Sequence, residues 1–188
     1  DLFLECAQPL FPSFEDRMRF VTDLALENIR RKTGGPFGAG IFDEEGRLIA
    51  PGVNLVTSGN CSVLHAEIVA VILAQQRLGR YDIGDGGKLF YELTASTEPC
   101  AMCFGAIPWS GVSRVVCGAR DEDARNIGFD EGPKLSDWQR ALELRGIKVK
   151  RDVLRDDAVF VLDQYRKQGG MIYNAGIQDA GRDSKPFS

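Results

Sequence analysis

Apolar residues recur along this chain in two rhythms, a helical one near every third or fourth position and a denser one suited to strands, separated by glycine, proline and acidic turns. Ser13 before Glu15 and Asp16 marks a helix start, since acids are favoured at the positive end of the helix dipole. Phe20, Leu24 and Ile29 carry its apolar positions towards Arg30-Arg31-Lys32, and Thr33-Gly34-Gly35-Pro36 ends it. Ala39-Gly40-Ile41-Phe42, a turn at Asp43-Glu44-Glu45-Gly46 and Leu48-Ile49-Ala50 predict an antiparallel hairpin. Pro51-Gly52 is expected to disturb its second strand, because proline has no N–H to give a ladder. Apolar spacing predicts a helix over 67–78, a strand over 88–97, a short helix over 101–109 and a strand over 113–119. Ser136 is expected to cap a helix carrying Trp138, Ala141, Leu142 and Leu144 that stops at Gly146, followed by a strand over 147–153 and a helix over 157–168.

Strands alternating with helices favour an α/β fold, a sheet with helices on both faces, and the opening hairpin makes that sheet mixed. No internal repeat or low-complexity linker interrupts the pattern. At 188 residues and 44% hydrophobic content the chain can bury one full core, so a single domain over 1–175 is expected, with 176–188 as a flexible tail.

Charge and cysteine content narrow the function classes. There are 23 basic residues against 27 acidic, a net charge of -4, which argues against a nucleic-acid binder that needs a basic face. No apolar stretch reaches the roughly 20 residues of a membrane span, and no basic segment leads into an apolar run at the start of the chain. The chain opens on Asp1 rather than methionine, so a short stretch ahead of it is expected. Five cysteines is an odd number; Cys6, Cys61 and Cys117 read as reduced thiols, with Cys117 on an apolar run, and the expected compartment is the cytoplasm.

The candidate chemistry lies in two short segments. The only histidine, His65, is followed by Ala66 and Glu67, and Pro99-Cys100-Ala101-Met102-Cys103 comes later. Cysteines three apart at a helix start share a face, so both sulfurs can reach one metal, and the helix dipole favours their thiolate forms. Two soft thiolates and an imidazole favour zinc. Three protein ligands leave a fourth position for water, the catalytic rather than the structural pattern, and zinc lowers the pKa of that water to roughly 7. Glu67 stands two residues from His65, where helical side chains diverge, which places it beside the metal without ligating it and lets it move a proton. Taken singly, His65 reads equally as a core histidine, Glu67 as a solvated helix residue and the cysteines as small apolar residues or half of a structural site. His-x-Glu and Pro-Cys-x-x-Cys together are the signature of zinc-dependent base deaminases.

With Glu98 added, these motifs resemble the cytidine-deaminase-like superfamily, and further segments resemble its bacterial guanine deaminase branch: Gly34-Gly35-Pro36-Phe37-Gly38-Ala39, Asn54 on the second strand, Gly105-Ala106-Ile107-Pro108-Trp109 and Ile127-Gly128-Phe129-Asp130-Glu131. The resemblance implies a three-layer α/β/α fold around a five-stranded mixed sheet, a homodimer, bound zinc, and hydrolysis of guanine to xanthine and ammonia. It implies attack of water at C2, with Glu67 carrying a proton to the neighbouring ring nitrogen. A second carboxylate, at Glu131, is implied to help the amino group leave; an ordinary loop acid at Glu131, with Asp130 as the functional group, stays open as well.

For substrate binding, the resemblance sets Asn54 against the base, while an amide that satisfies strand-end backbone groups is the competing reading. Ala66, Phe37, Trp109 and Phe129 are further candidates around a flat ring, although isolated aromatics also serve as core. Tyr173, in the segment Gly169-Gly170-Met171-Ile172-Tyr173-Asn174, is implied to close an active site, in the branch that of the partner subunit. An amino-triazine such as ammeline presents a similar ring. The competing activities are deamination of tRNA adenosine or of cytosine and nucleosides, and the competing class is a zinc-stabilised interaction domain without catalysis, which leaves Glu67 unexplained.

Overall fold

Ser13 starts the first helix as the pattern predicts, and does so reciprocally. Its hydroxyl accepts the Asp16 N–H at 3.0 Å, and the Asp16 carboxylate accepts the Ser13 N–H at 3.3 Å, so two otherwise unpaired donors are satisfied. A computed structural model describes residues 9–174 and shows a five-stranded mixed sheet. The expected tail at 176–188, the expected stretch ahead of Asp1 and Cys6 lie outside the described residues.

In chain order the elements are α1 (Phe14–Arg31), β1 (Gly38–Asp43), β2 (Leu48–Val53), α2 (Ala66–Leu78), β3 (Tyr91–Thr97), α3 (Ala101–Ser110), β4 (Arg114–Ala119), α4 (Asp121–Asn126), α5 (Trp138–Glu143), β5 (Lys148–Lys150) and α6 (Arg155–Lys167). The strand order is β2-β1-β3-β4-β5; β1 runs antiparallel to β2 and β3, and β3, β4 and β5 are parallel. Side chains alternate across the pleat: Ile41 and Val115 enter the core on the face covered by α2, α3 and α5, while Phe42 and Val116 enter the core under α1. Met18, Val21, Ala25 and Ile29 form the fully buried stripe of α1, with Phe20 and Leu24 at its margins. This gives the three expected layers.

Several boundaries differ from the pattern. β2 continues through Pro51 and Gly52 to Val53, because β2 is the edge strand and the missing proline N–H takes no inner bond from the sheet. β3 starts only at Tyr91, since the Asp82 carboxylate gathers the N–H groups of Gly84 and Gly86 into a turn ahead of it. α5 is capped at Asp137 rather than Ser136, β5 is shorter than the expected 147–153, and α6 begins at Arg155 behind Leu154, whose φ of 46° turns the chain sharply. α4 has no apolar period to announce it; the Asp123 carboxylate, accepting the Arg120 N–H at 2.7 Å, starts it instead. Among the described residues no helix is long and apolar enough to cross a membrane.

One buried acid belongs to the scaffold alone. Glu92 on β3 is fully buried, yet its carboxylate is met by Arg17 at 2.8 Å, by Arg114 and by the Thr94 hydroxyl at 2.7 Å. Those partners satisfy the buried carboxyl group and tie β3 to α1 and β4.

Candidate active site

Two helices begin at the same place. His65 is the N-cap of α2 and Cys100 the N-cap of α3, both extended in backbone, with Glu67 and Cys103 inside the respective first turns. Their positive ends therefore converge, which favours anionic groups between them. The His65 Nδ1 lies 3.4 Å from the Cys100 Sγ, and the three donor atoms of His65, Cys100 and Cys103 fall within 4.8 Å of one another. Tetrahedral ligation by one imidazole and two thiolates separates nitrogen from sulfur by about 3.5 Å, so the set fits zinc. Cys103 donates its thiol to Cys100, which holds the Cys100 thiol down at about 4 despite burial. The same bond, with burial, pushes Cys103 up. The two sulfurs thus share a proton that metal binding displaces.

Two carboxylates flank this triad, and both are hard to ionise. Burial raises Glu67 above the usual carboxylate range, and the Cys100 thiolate adds to it. Glu131, 6% exposed, is pushed up to about 8 by burial first, then by the negative charges of Cys100 and Glu67. Asp130 sits beside it but is engaged elsewhere, its carboxylate accepting the Gly132 N–H at 2.9 Å and facing Arg125 at 3.6 Å. Of the two, Glu131 is the one left buried with no ion pair among the described residues.

The triad and both acids open on a cavity of about 340 Å³. Phe37, Phe129 and Tyr173 form one wall, with Phe129 edge-on to Phe37 at 4.9 Å and to Tyr173 at 5.1 Å. Phe37 and Phe129 also pack into the core beneath α1 and α6, so the two readings of these aromatics are not exclusive. Tyr173 lies on its own chain's cavity, its hydroxyl against Gly35, where any side chain would collide. Asn54 stands one residue beyond β2 and is fully buried. Its side-chain oxygen accepts the N–H groups of Gly35 and Val56, both at 3.2 Å, while its amide nitrogen has no partner among the described residues. Backbone groups thus orient the amide and leave its donor free in the cavity wall.

Two candidates are not brought to the wall. Trp109 is 77% exposed, because α3 leads away from Cys100 and nine residues of helix carry it about 13 Å along the axis. Ala66 is buried in the core cluster between α2 and the sheet, not among the cavity residues. Other groups had no signal in the sequence. Asn28 holds the Gly35 carbonyl at 2.9 Å and the Asn54 carbonyl at 2.8 Å, and Asn174 accepts the Asp130 N–H at 3.0 Å and donates to the Gly128 carbonyl at 2.8 Å. Isolated amides have no period; only tertiary structure shows what they tie.

Residues 13–119 match the family described as the cytidine and deoxycytidylate deaminase zinc-binding region, and the chain belongs to that family of zinc-dependent deaminases. Within it, the chain is similar to the guanine deaminase of Bacillus subtilis (strain 168), at 39% identity over 133 residues, covering 71% of this chain and 81% of that one. A solved structure of guanine deaminase from Nitrosomonas europaea superposes with a TM-score of 0.83 at 44% identity, covering 88% of this chain and 91% of that one. The tRNA-specific adenosine deaminase of Buchnera aphidicola subsp. Schizaphis graminum (strain Sg) is 31% identical over 132 residues, covering 70% of this chain and 80% of that one.

Proposed function

We propose that this chain hydrolyses the free base guanine to xanthine and ammonia. The observation that carries the reading is the buried Asn54 amide, oriented by Gly35 and Val56 with an unpaired donor, in one cavity with the His65-Cys100-Cys103 triad and two buried acids. Similarity to two guanine deaminases supports the choice of base. Bound zinc supplies a Lewis acid that makes water acidic near neutral pH. Glu67 takes the proton of the water that attacks C2 and delivers it to the adjacent ring nitrogen. Glu131, protonated at neutral pH, gives its proton to the departing amino group and takes up the remaining proton of the added hydroxyl, so that ammonia leaves, the ring carbonyl of xanthine remains and Glu131 is restored. Asn54 donates to an acceptor on the purine edge, and Phe37, Phe129 and Tyr173 stack around the ring and exclude water.

Ammonia release from zinc-loaded protein offered guanine, adenine, cytosine, cytidine, ammeline or an adenosine-bearing RNA stem-loop tests this. Guanine is expected to turn over fastest, with ammeline, an amino-bearing ring of similar edge, as the second substrate. Turnover of the RNA alone would overturn the choice of base, and no turnover at all with zinc bound would favour the interaction-domain reading. Asn54→Ala is expected to raise the KM for guanine about tenfold, the worth of one good hydrogen bond, with zinc content unchanged; an unaltered KM would remove Asn54 from the binding site.

We further propose a cytoplasmic homodimer acting on a small molecule rather than on nucleic acid or a membrane. The free thiols at Cys61, Cys100, Cys103 and Cys117 support a reducing compartment, and Trp109, exposed on α3, supports a partner surface. The dimer does not need the segment around Tyr173 to be exchanged between subunits, because Tyr173 and Asn174 line the cavity of their own chain. A monomer mass in sedimentation at micromolar concentration would overturn the dimer.

A further inference from the structure

Behind the cavity wall lies a second group of buried charges that the reaction does not use directly. Lys134, its side chain 6% exposed, reaches from the far end of the loop that carries Glu131 to the turn that carries Cys100. Its ammonium donates to the Pro99 carbonyl at 3.0 Å and pairs with Asp121 at 2.8 Å and Glu98 at 3.7 Å, and it lies 5.1 Å from the centre of the Trp138 ring. Glu98, 3% exposed, is held in turn by Arg151 and accepts the Asp121 N–H at 3.2 Å. Three residues before Lys134, the Glu131 carbonyl accepts the Ala101 N–H at 2.8 Å, and between them Arg125 donates to the Gly132 carbonyl at 2.9 Å. The loop is therefore fastened to the start of α3 at both ends, by a backbone bond at Glu131 and by the ammonium at Lys134.

The site has a specific need for this. The Glu131 side chain is buried at the cavity beside Glu67 and Cys100, and among the described residues no ion pair holds its carboxyl there. A loop with positive-φ glycines at Gly128 and Gly132 has no helical or strand bonding to fix it either. An ammonium suits the task. Its three donors can meet Pro99, Asp121 and Glu98 at once, and its charge offsets the two acids where water is excluded.

We propose that Lys134 is a positioning residue for the reaction, clamping the loop of Glu131 onto the Pro99–Cys100 turn so that the Glu131 carboxyl stays at the reacting amino group. This rests on the reading of Glu131 as the second proton-transfer group. Lys134 acts through Pro99, Asp121 and Glu98 and touches neither substrate nor metal.

The test is a double-mutant cycle on zinc-loaded enzyme with guanine, assayed well below the unfolding temperature. Lys134→Met is expected to lower kcat about tenfold, with KM within about twofold and one zinc per chain, because misplacing a proton donor affects the chemical step rather than binding. In a Glu131→Gln background the same substitution is expected to change kcat less than about twofold, since the group it positions is gone. Asp121→Asn, which keeps the side-chain shape and removes one anchor, is expected to behave the same way with a smaller loss, and carries the test if Lys134→Met does not fold. An equal loss with and without Glu131, or a loss in KM or zinc alone, would overturn the clamp. Wild-type kcat in Glu131→Gln by itself would instead overturn the role of Glu131.

Discussion

Glu67→Gln is expected to lower kcat for guanine by about 10³-fold while one zinc per chain is retained, because general acid–base catalysis contributes on the order of 10²–10⁴ and glutamine keeps the shape without the proton. Glu67 sits in the first turn of α2, 8% exposed, with burial and the nearby thiolate raising its carboxyl above the usual range. A carboxylate made more basic in this way is a better acceptor for a proton from water, yet its conjugate acid still gives that proton up to a ring nitrogen. Neighbours on the metal side stay in place in the variant, since His65, Cys100 and Cys103 make up the donor set without Glu67. Zinc content measured by metal analysis separates loss of chemistry from loss of metal. Full activity in Glu67→Gln would overturn the mechanism, and loss of zinc with activity would make Glu67 a ligand-supporting group.

Glu131→Gln is expected to slow kcat by about 10²-fold, less than Glu67→Gln, because water can replace a proton donor to a leaving amine better than it can replace the base that starts the attack. The pH dependence follows from burial. With its carboxyl pushed up to about 8, Glu131 is protonated at neutral pH and able to donate. Raising the pH through about 8 ionises it, so kcat should fall on that side in the wild type, and the fall should be missing in the variant. Stability has the same sign. A carboxyl whose folded pKa lies above its ordinary value of 4.5 favours the fold at low pH, and that contribution is lost as pH rises from 4.5 through about 8. The unfolding temperature of the wild type should therefore decline across this window more than that of Glu131→Gln. Equal profiles, with unchanged kcat, would move the second proton role to Asp130 or to water.

The architecture was legible wherever burial follows a period. Ser13, the alternation of Ile41 with Phe42, and the apolar runs of β3 and β4 each announce an element because one face must be apolar and the other must not. The pattern missed what polar groups decide alone: α4, started by Asp123 returning to Arg120; the late start of β3, set by Asp82; and the persistence of β2 past Pro51, which depends on being at an edge. The site divides in the same way. His65, Glu67, Cys100 and Cys103 were readable because their spacing within each helix start is itself the geometry the metal requires. Trp109 misled because a nearby position in sequence, nine residues down a rigid helix, is distant in space.

By itself, then, the sequence determined an α/β chain, a mixed sheet, the metal triad and the acid beside it, all of which are local or periodic consequences of residue type. Only the tertiary structure decided which end of the Asn54 amide is free, that Glu131 rather than Asp130 is buried beside the triad, and that Asn28, Asn174 and Lys134 hold the walls in place. Those outcomes depend on burial, on unpaired donors and on charges brought together from segments far apart in the chain, and no spacing along one segment encodes them.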